Sequence, residues 1–339
     1  MAHHKHEIGF LTGAAAELIS RLNFTHRKCL RFWPYRFIVS LFSSRKLVIG
    51  VPFIWLTLFF LIPFLIILRI SFTEAEIASP PFTNLLEWVE TGILQITVNF
   101  QNYMDIWEDS IYVNAYLNSV KVAFFATFFT LLIGYPIALA MARAPKQWHL
   151  FLVMLIILPF WTSFLIRIYA WVTILSPSGI LNNVINAVGG FLGLIDPAHP
   201  VDLGILHTDL AVYIGIIYGY LPFMILPLYA TLNKIDETLI EAAQDLGCPP
   251  IKTFWTMTFR LSLPGVLAGS FLVFIPALGE FVIPDLLGGS NVTMIGKVLY
   301  DTYLKGMDLP LVSAISVILL LLVIIPIYIF NRVQEKQFT

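Results

Sequence analysis

The sequence predicts an all-α, polytopic membrane protein with six transmembrane helices. Three observations predict it. Of 339 residues, 58% are hydrophobic and 12% charged, against roughly 45–50% and about 25% in an average soluble domain. Mean hydropathy is +0.83. Six apolar stretches each reach the about 20 residues that a helix needs to cross a hydrocarbon core of about 30 Å. Charge this sparse cannot cover a water-soluble surface of this size. A soluble enzyme, a nucleic-acid-binding module and a disordered chain are therefore poor readings. Lys and Arg number 20 against 21 Asp and Glu, a net charge of −1, so no global field implies nucleic acid as a partner.

The first 46 residues precede any full span and carry Lys5, Arg21, Arg27, Lys28, Arg31, Arg36, Arg45 and Lys46. They read as a retained basic cytoplasmic arm. Within it, Leu30–Phe42 mixes aromatics with arginines, a composition suited to a helix in the headgroup region or to a weakly ordered basic tail. His3, His4 and His6 read as a surface cluster, not a metal site.

The membrane domain then runs over 47–331, with spans at Leu47–Phe72, Ser119–Ala142, Leu150–Leu175, Leu210–Leu232, Gly265–Leu287 and Leu311–Phe330. Each must be helical, because a lone segment in lipid has to satisfy its own backbone hydrogen bonds. Barrel strands would be shorter and would alternate. Pro63, Pro136, Pro159, Pro222, Pro227, Pro276 and Pro284 fall inside these spans, where each removes a hydrogen bond and can kink the helix. Gly265 and Gly269 form a small-xxx-small pair, read as packing.

The loops fix an orientation. Neither Thr73–Asn118 nor Ser176–Asp209 contains Lys or Arg, whereas the links after the second and fourth spans hold Arg143, Lys146, Lys234, Lys252 and Arg260. By the positive-inside rule both termini and both basic links face the cytoplasm, including the tail 332–339. Lys297 and Lys305 in the last outer loop are a mild exception. Cys29 and Cys248 fall on the reducing side and match no metal or disulfide spacing.

The link after the fourth span carries a short amphipathic helix over about 236–247. Leu239, Ile240, Ala243 and Leu246 make its apolar side, acids crowd its first turn, and Gly247 with Pro249 and Pro250 stops it. Such a helix needs a partner surface, or else serves only as an interfacial link.

Glu241-Ala242-Ala243, three residues and then Gly247 resemble the EAA signature of bacterial ABC-importer permeases. In that family this is the coupling helix, seated in a groove of the ATPase. The resemblance therefore assigns ATPase coupling to Glu241, Ala242, Ala243, Asp245 and Gly247. The far end of the pattern departs: Arg260 stands where the family has proline, and Leu263-Pro264 follows later.

The segment AGSFLVFIPALGEFVIPDLLGG (268–289) narrows the resemblance to permeases of spermidine/putrescine importers, B/H type. So do Leu158-Pro159-Phe160-Trp161-Thr162 and Met294-Ile295-Gly296-Lys297-Val298-Leu299. This likeness implies a type I ABC importer permease fold. It also implies a second, C/I-type permease, two ATPase subunits that use ATP and Mg, and a periplasmic polyamine-binding protein. The chain itself is expected to bind no cofactor or metal and to sit in the inner membrane.

Glu280 stands inside an apolar span, at an insertion cost of roughly 2.5–3.5 kcal/mol. It reads either as a waypoint for an ammonium group or as a tie to Arg167 or a partner subunit. Asp285, Trp161, Tyr218 and Tyr220 are the other pathway candidates, since aromatic faces attract cations by about 0.5–2 kcal/mol. No phosphate-binding loop, zinc-protease motif or nucleophile elbow occurs, so the chain reads as no enzyme. The competing readings are a permease for sulfate or an iron complex, and an ion-coupled carrier using Glu280.

Overall fold

The computed structural model describes residues 45–76, 80–88, 94–193, 195–196, 201–290 and 292–338. The basic arm, its Leu30–Phe42 segment and the histidine cluster lie outside the described residues. The chain divides into two units, Met1–Ile66 and Ile67–Thr339. In the first, helix Arg45–Leu56 passes through a π-helical turn, Thr57–Leu61, into helix Ile62–Ile70. Phe53, Trp55 and Phe59 are exposed there, as lipid-facing side chains are.

In the second unit the second span (Ser110–Ala142), the fourth (Asp209–Leu232) and the fifth (Pro250–Leu278) form the packed centre. Close approach is a matter of missing side chains. A Cβ on Gly269 would lie 3.0 Å from the Met224 carbonyl oxygen, and one on Gly265 would lie 3.0 Å from that of Pro227. The small-xxx-small pair is thus where the fifth span lies on the fourth. The sixth span, Leu309–Tyr328, is tied to the second by the buried Tyr116 hydroxyl, which donates to the Ile315 carbonyl (2.7 Å).

The fourth and sixth spans begin within two residues of expectation. The second begins nine residues earlier than expected, at Ser110, capped by Asp109 (2.8 Å to the Ile111 amide). Its first turns carry Tyr112, Asn114, Tyr116 and Asn118, polar groups that hide a helix from a hydropathy window. Asn118 and Ser119 there hold the loop between the fifth and sixth spans, through the Thr293 carbonyl (2.9 Å) and the Ile295 amide (2.7 Å).

The third span is broken. Helix Lys146–Ile157 gives way to a 3-10 turn, Leu158–Trp161, then to extended backbone at Thr162 and Ser163, then to helix Phe164–Leu175. Length and hydropathy alone would instead join Phe164–Leu175 to the next helix, Ile180–Phe191. Packing argues against that. Leu152, Val153 and Ile156 pack at the end of the bundle marked by Met141 and Leu232. Ile168 and Leu175 are buried with Val122 and Ala211 at the other. Lys146–Leu175 is therefore one crossing in two halves.

The fifth span also differs. It starts at Pro250 and stops at Leu278, nine residues short of the expected Leu287. The chain breaks at Gly279–Phe281, resumes as helix at Val282 and widens into a π-helical turn, Pro284–Gly288.

Gly269→Leu is expected to lower the thermal midpoint of the purified protein, because a backbone carbonyl cannot step aside; overpacking of this kind costs about 1–3 kcal/mol. Gly50→Leu, where a Cβ meets nothing within 4 Å, is expected to leave the midpoint unchanged. Equal midpoints for the two variants would refute the packing account.

Candidate functional site

Two places concentrate chemistry. The first is the link between the fourth and fifth spans. The Asp236 side chain accepts from the Thr238 amide (3.1 Å) and caps a helix over Glu237–Asp245. Its end is closed by the Gly247 amide to Gln244 (2.8 Å) and the Cys248 amide to Ala243 (3.1 Å). Gly247 has φ +83°, a left-handed conformation that glycine adopts without a steric penalty. Pro249 and Pro250 then open the fifth span.

No residue of this helix is buried. Its apolar side splits in two, which corrects the expected single face. Ile240 and Ala243 turn partly inward, whereas Leu239 and Leu246 are exposed, Leu246 by 89%, with Ala242 exposed between them. The spacing i, i+3, i+7 makes those three a stripe on one side of a helix. Glu241 and Asp245 are exposed as well. Behind the helix lies a cleft of about 660 Å³, with Asp236, Glu237 and Glu241 on one wall and Arg143, Lys146 and His149 on the other. Beyond it the fifth span runs through a π-helical turn at Phe254–Thr258, so the helix adjusts there without the family's proline.

The second place is the break in the fifth span. Glu280 is 7% exposed. One carboxylate oxygen accepts from the backbone amides of Val282 (3.0 Å) and Ile283 (3.4 Å), and the other accepts a short bond from the Tyr220 hydroxyl. The carboxylate thus caps the turn that follows the break, where free amides carry partial positive charge. Tyr220 stands midway along Asp209–Leu232, so the break lies level with the middle of the fourth span and not at its end. Arg167 does not pair with Glu280. Its guanidinium lies over the rings of Phe160 (5.1 Å) and Phe164 (5.7 Å).

An aromatic row joins the two breaks. Phe160, in the 3-10 turn of the third span, meets Phe223 at 5.2 Å, and Phe223 meets Tyr220 at 6.1 Å. Sequence reasoning missed Phe160 and Phe223. The available signal was their proximity in sequence to Pro159 and Tyr220.

The remaining candidates are placed separately. Trp161 is 84% exposed at the third-span break. Tyr218 is part-exposed and meets Trp171 edge-on at 5.4 Å. Asp285 lies one turn beyond Phe281, outside the Glu280 cluster, with Lys297 at 3.5 Å. Lys297, first an exception to the charge rule, thus has a carboxylate to answer it. Among the described residues no group of three metal-ligating side chains occurs.

The family model for the inner membrane component of binding-protein-dependent transport systems matches residues 30–339. The chain is 34% identical to the spermidine/putrescine transport system permease protein PotB of Haemophilus influenzae, over 86% of this chain and 94% of that one. It is 35% identical to PotB of Escherichia coli, over 83% of this chain and 94% of that one. Its fold resembles a chain of a bacterial alginate ABC transporter solved with an alginate pentasaccharide-bound periplasmic protein. The TM-score is 0.63 at 17% identity, over 90% of this chain and 98% of that one. With six helices long and apolar enough to cross a membrane, this chain belongs to the family of inner membrane components of binding-protein-dependent transport systems.

Proposed function

We propose that the chain is the permease subunit of an ATP-driven importer of polyamines, with its coupling helix at Glu237–Asp245. The observation that carries the coupling role is the state of that helix. It is capped at both ends, hung between two spans, and has no buried residue. Its exposed stripe, Leu239, Ala242 and Leu246, flanked by Glu241 and Asp245, suits a groove on another subunit. ATP and Mg belong to that subunit, since the chain has no phosphate-binding loop of its own.

The cargo reading rests on the PotB relatives, which favour a polyamine over sulfate or an iron complex. The chemistry agrees: carboxylates and aromatic rings, not guanidinium groups, are what an oligo-ammonium chain needs along its way. Trp161 and Tyr218 offer exposed rings, and Asp285 offers a charge near the outer mouth. Glu280 is already held by three donors, so its part is to fix the geometry of the path more than to bind cargo.

In the proposed cycle the loaded binding protein docks outside. ATP closes the paired ATPases, and the coupling helix carries that movement into the spans, opening the path outward. Hydrolysis resets it inward. A second permease completes the path. Both termini and both basic links are cytoplasmic.

Three outcomes are expected. Glu241→Arg abolishes ATP-dependent uptake of labelled putrescine and releases the ATPase from washed membranes; uptake at the wild-type rate with the ATPase retained would sink the coupling role. Glu280→Gln, which places an amide donor among three donors, lowers uptake about tenfold with the complex assembled, the scale of a lost charge-assisted bond. Tyr220→Phe lowers it less, and the reverse ranking would count against the capping role. A cysteine at Ser178 reacts with an impermeant thiol reagent from outside in intact cells, and one at Lys234 reacts only after the membrane is opened. The opposite pattern inverts the topology.

A further inference from the structure

We propose that Asp285, the Gly289 carbonyl and the stacked rings of Phe281 and Tyr300 form an outer site for a primary ammonium group, which the chain's own Lys297 fills in the absence of cargo. The proposal rests on the polyamine reading and names the part of the cargo that is recognised.

The site is built between two short elements. The Asp285 amide donates to the Phe281 carbonyl (3.0 Å), so the two side chains stand one turn apart on the same side. Helix Ile295–Asp301 presents Lys297 and Tyr300, three residues apart, toward them. The pairing is ring to ring and charge to charge. Phe281 stacks on Tyr300 with centroids 4.9 Å apart and planes 25° apart, and the Lys297 ammonium lies 3.5 Å from the Asp285 carboxylate. The same ammonium donates to the Gly289 carbonyl.

Gly289 has φ +57°, and a Cβ there would lie 2.7 Å from Nδ1 of His207. Only glycine fits, and its conformation aims the carbonyl at the ammonium.

Two features mark Lys297 as a displaceable occupant. A fully formed ammonium–carboxylate bond has its heavy atoms about 2.7–2.9 Å apart, so 3.5 Å is a loose contact. The exposures are also unequal: the Asp285 side chain is 47% exposed and that of Lys297 13%. The acceptor is open to an arriving cation while the resident one is tucked beneath it.

The chemistry of the occupant identifies the ligand. A lysine side chain ends in a primary alkylammonium on a butyl stem, and so does putrescine. A carboxylate and a carbonyl that hold one will hold the other, and the Phe281 and Tyr300 rings stand beside them as further faces for a cation. Arrival of cargo frees Lys297, whose charge then loses its partner. A second cation stands nearby: Lys305 is held first by Asp301, at 2.7 Å, and also feels the Asp285 charge.

The test uses the assembled importer in proteoliposomes, with the binding protein saturated with labelled putrescine. n-Propylammonium is the primary-ammonium probe and tetramethylammonium the control. Propylammonium is expected to inhibit uptake of the wild type and tetramethylammonium to have little effect. In Lys297→Gln half-inhibition moves to about threefold lower propylammonium, the scale of a partly exposed ion pair. Lys297→Met, which keeps the stem, does the same if the glutamine variant does not assemble. In Asp285→Asn inhibition is lost. Identical half-inhibition in wild type and both variants overturns the ammonium site but leaves the polyamine reading standing. No putrescine uptake by the wild type with its binding protein overturns both.

Discussion

A carboxylate level with the middle of an apolar span has to be answered, and the way Glu280 is answered shapes the elements around it. An unpaired charge there costs several kcal/mol, and so does each backbone amide left open in lipid. The break at Gly279–Phe281 creates open amides, and Glu280 meets two of them, at Val282 and Ile283. Two expensive features thus cancel each other. The remaining oxygen takes the Tyr220 hydroxyl, which fixes the fourth span against the fifth. The helix of the last outer loop then lies on the break so closely that a Cβ on Gly296 would stand 2.4 Å from the Gly279 carbonyl oxygen.

The helix Glu237–Asp245 shows the opposite arrangement. Asp236 and the turn at Gly247 cap its two ends, yet its outward side chains stay exposed among the described residues. Leu239 and Leu246 exposed to water are unfavourable. Ile240 and Ala243 anchor the helix only along its inner edge. A helix that is fixed in shape and unfinished in packing is poised for another protein surface, as a loosely formed one would not be.

Much of this was legible in the sequence, and the failures have a common cause. Span number, the fourth span to within a residue at its start, and the capped helix at Asp236–Gly247 follow from composition and from residues with strong local preferences. Hydropathy sums composition but does not see backbone bonds. It therefore ran the fifth span on through Glu280 to Leu287, although the helix stops at Leu278 and the carboxylate takes the Val282 and Ile283 amides, capping the turn that follows the break. It also ran Leu150–Leu175 as one span; the kink that Pro159 allows is there a 3-10 turn followed by extended backbone at Thr162 and Ser163. The Lys297–Asp285 contact was invisible because its partners come from either side of a loop. Counting charges by loop sees Lys297 only as an exception.

The order of elements gives the site its mechanical meaning. The fourth span ends at Leu232, the capped link helix follows at Glu237–Asp245, and the fifth span opens at Pro250. The two arms that leave the link helix are pressed together at Gly265 and Gly269, where neither backbone can approach further. They are joined again, level with the middle of the fourth span, by Tyr220 and Glu280. In the proposed coupling role, displacement of Glu237–Asp245 passes to the Glu280 break through these two contacts. From there the aromatic row Tyr220, Phe223 and Phe160 reaches the break in the third span. The two breaks of the bundle are thus joined to each other and to the end of this helix pair that lies away from the link.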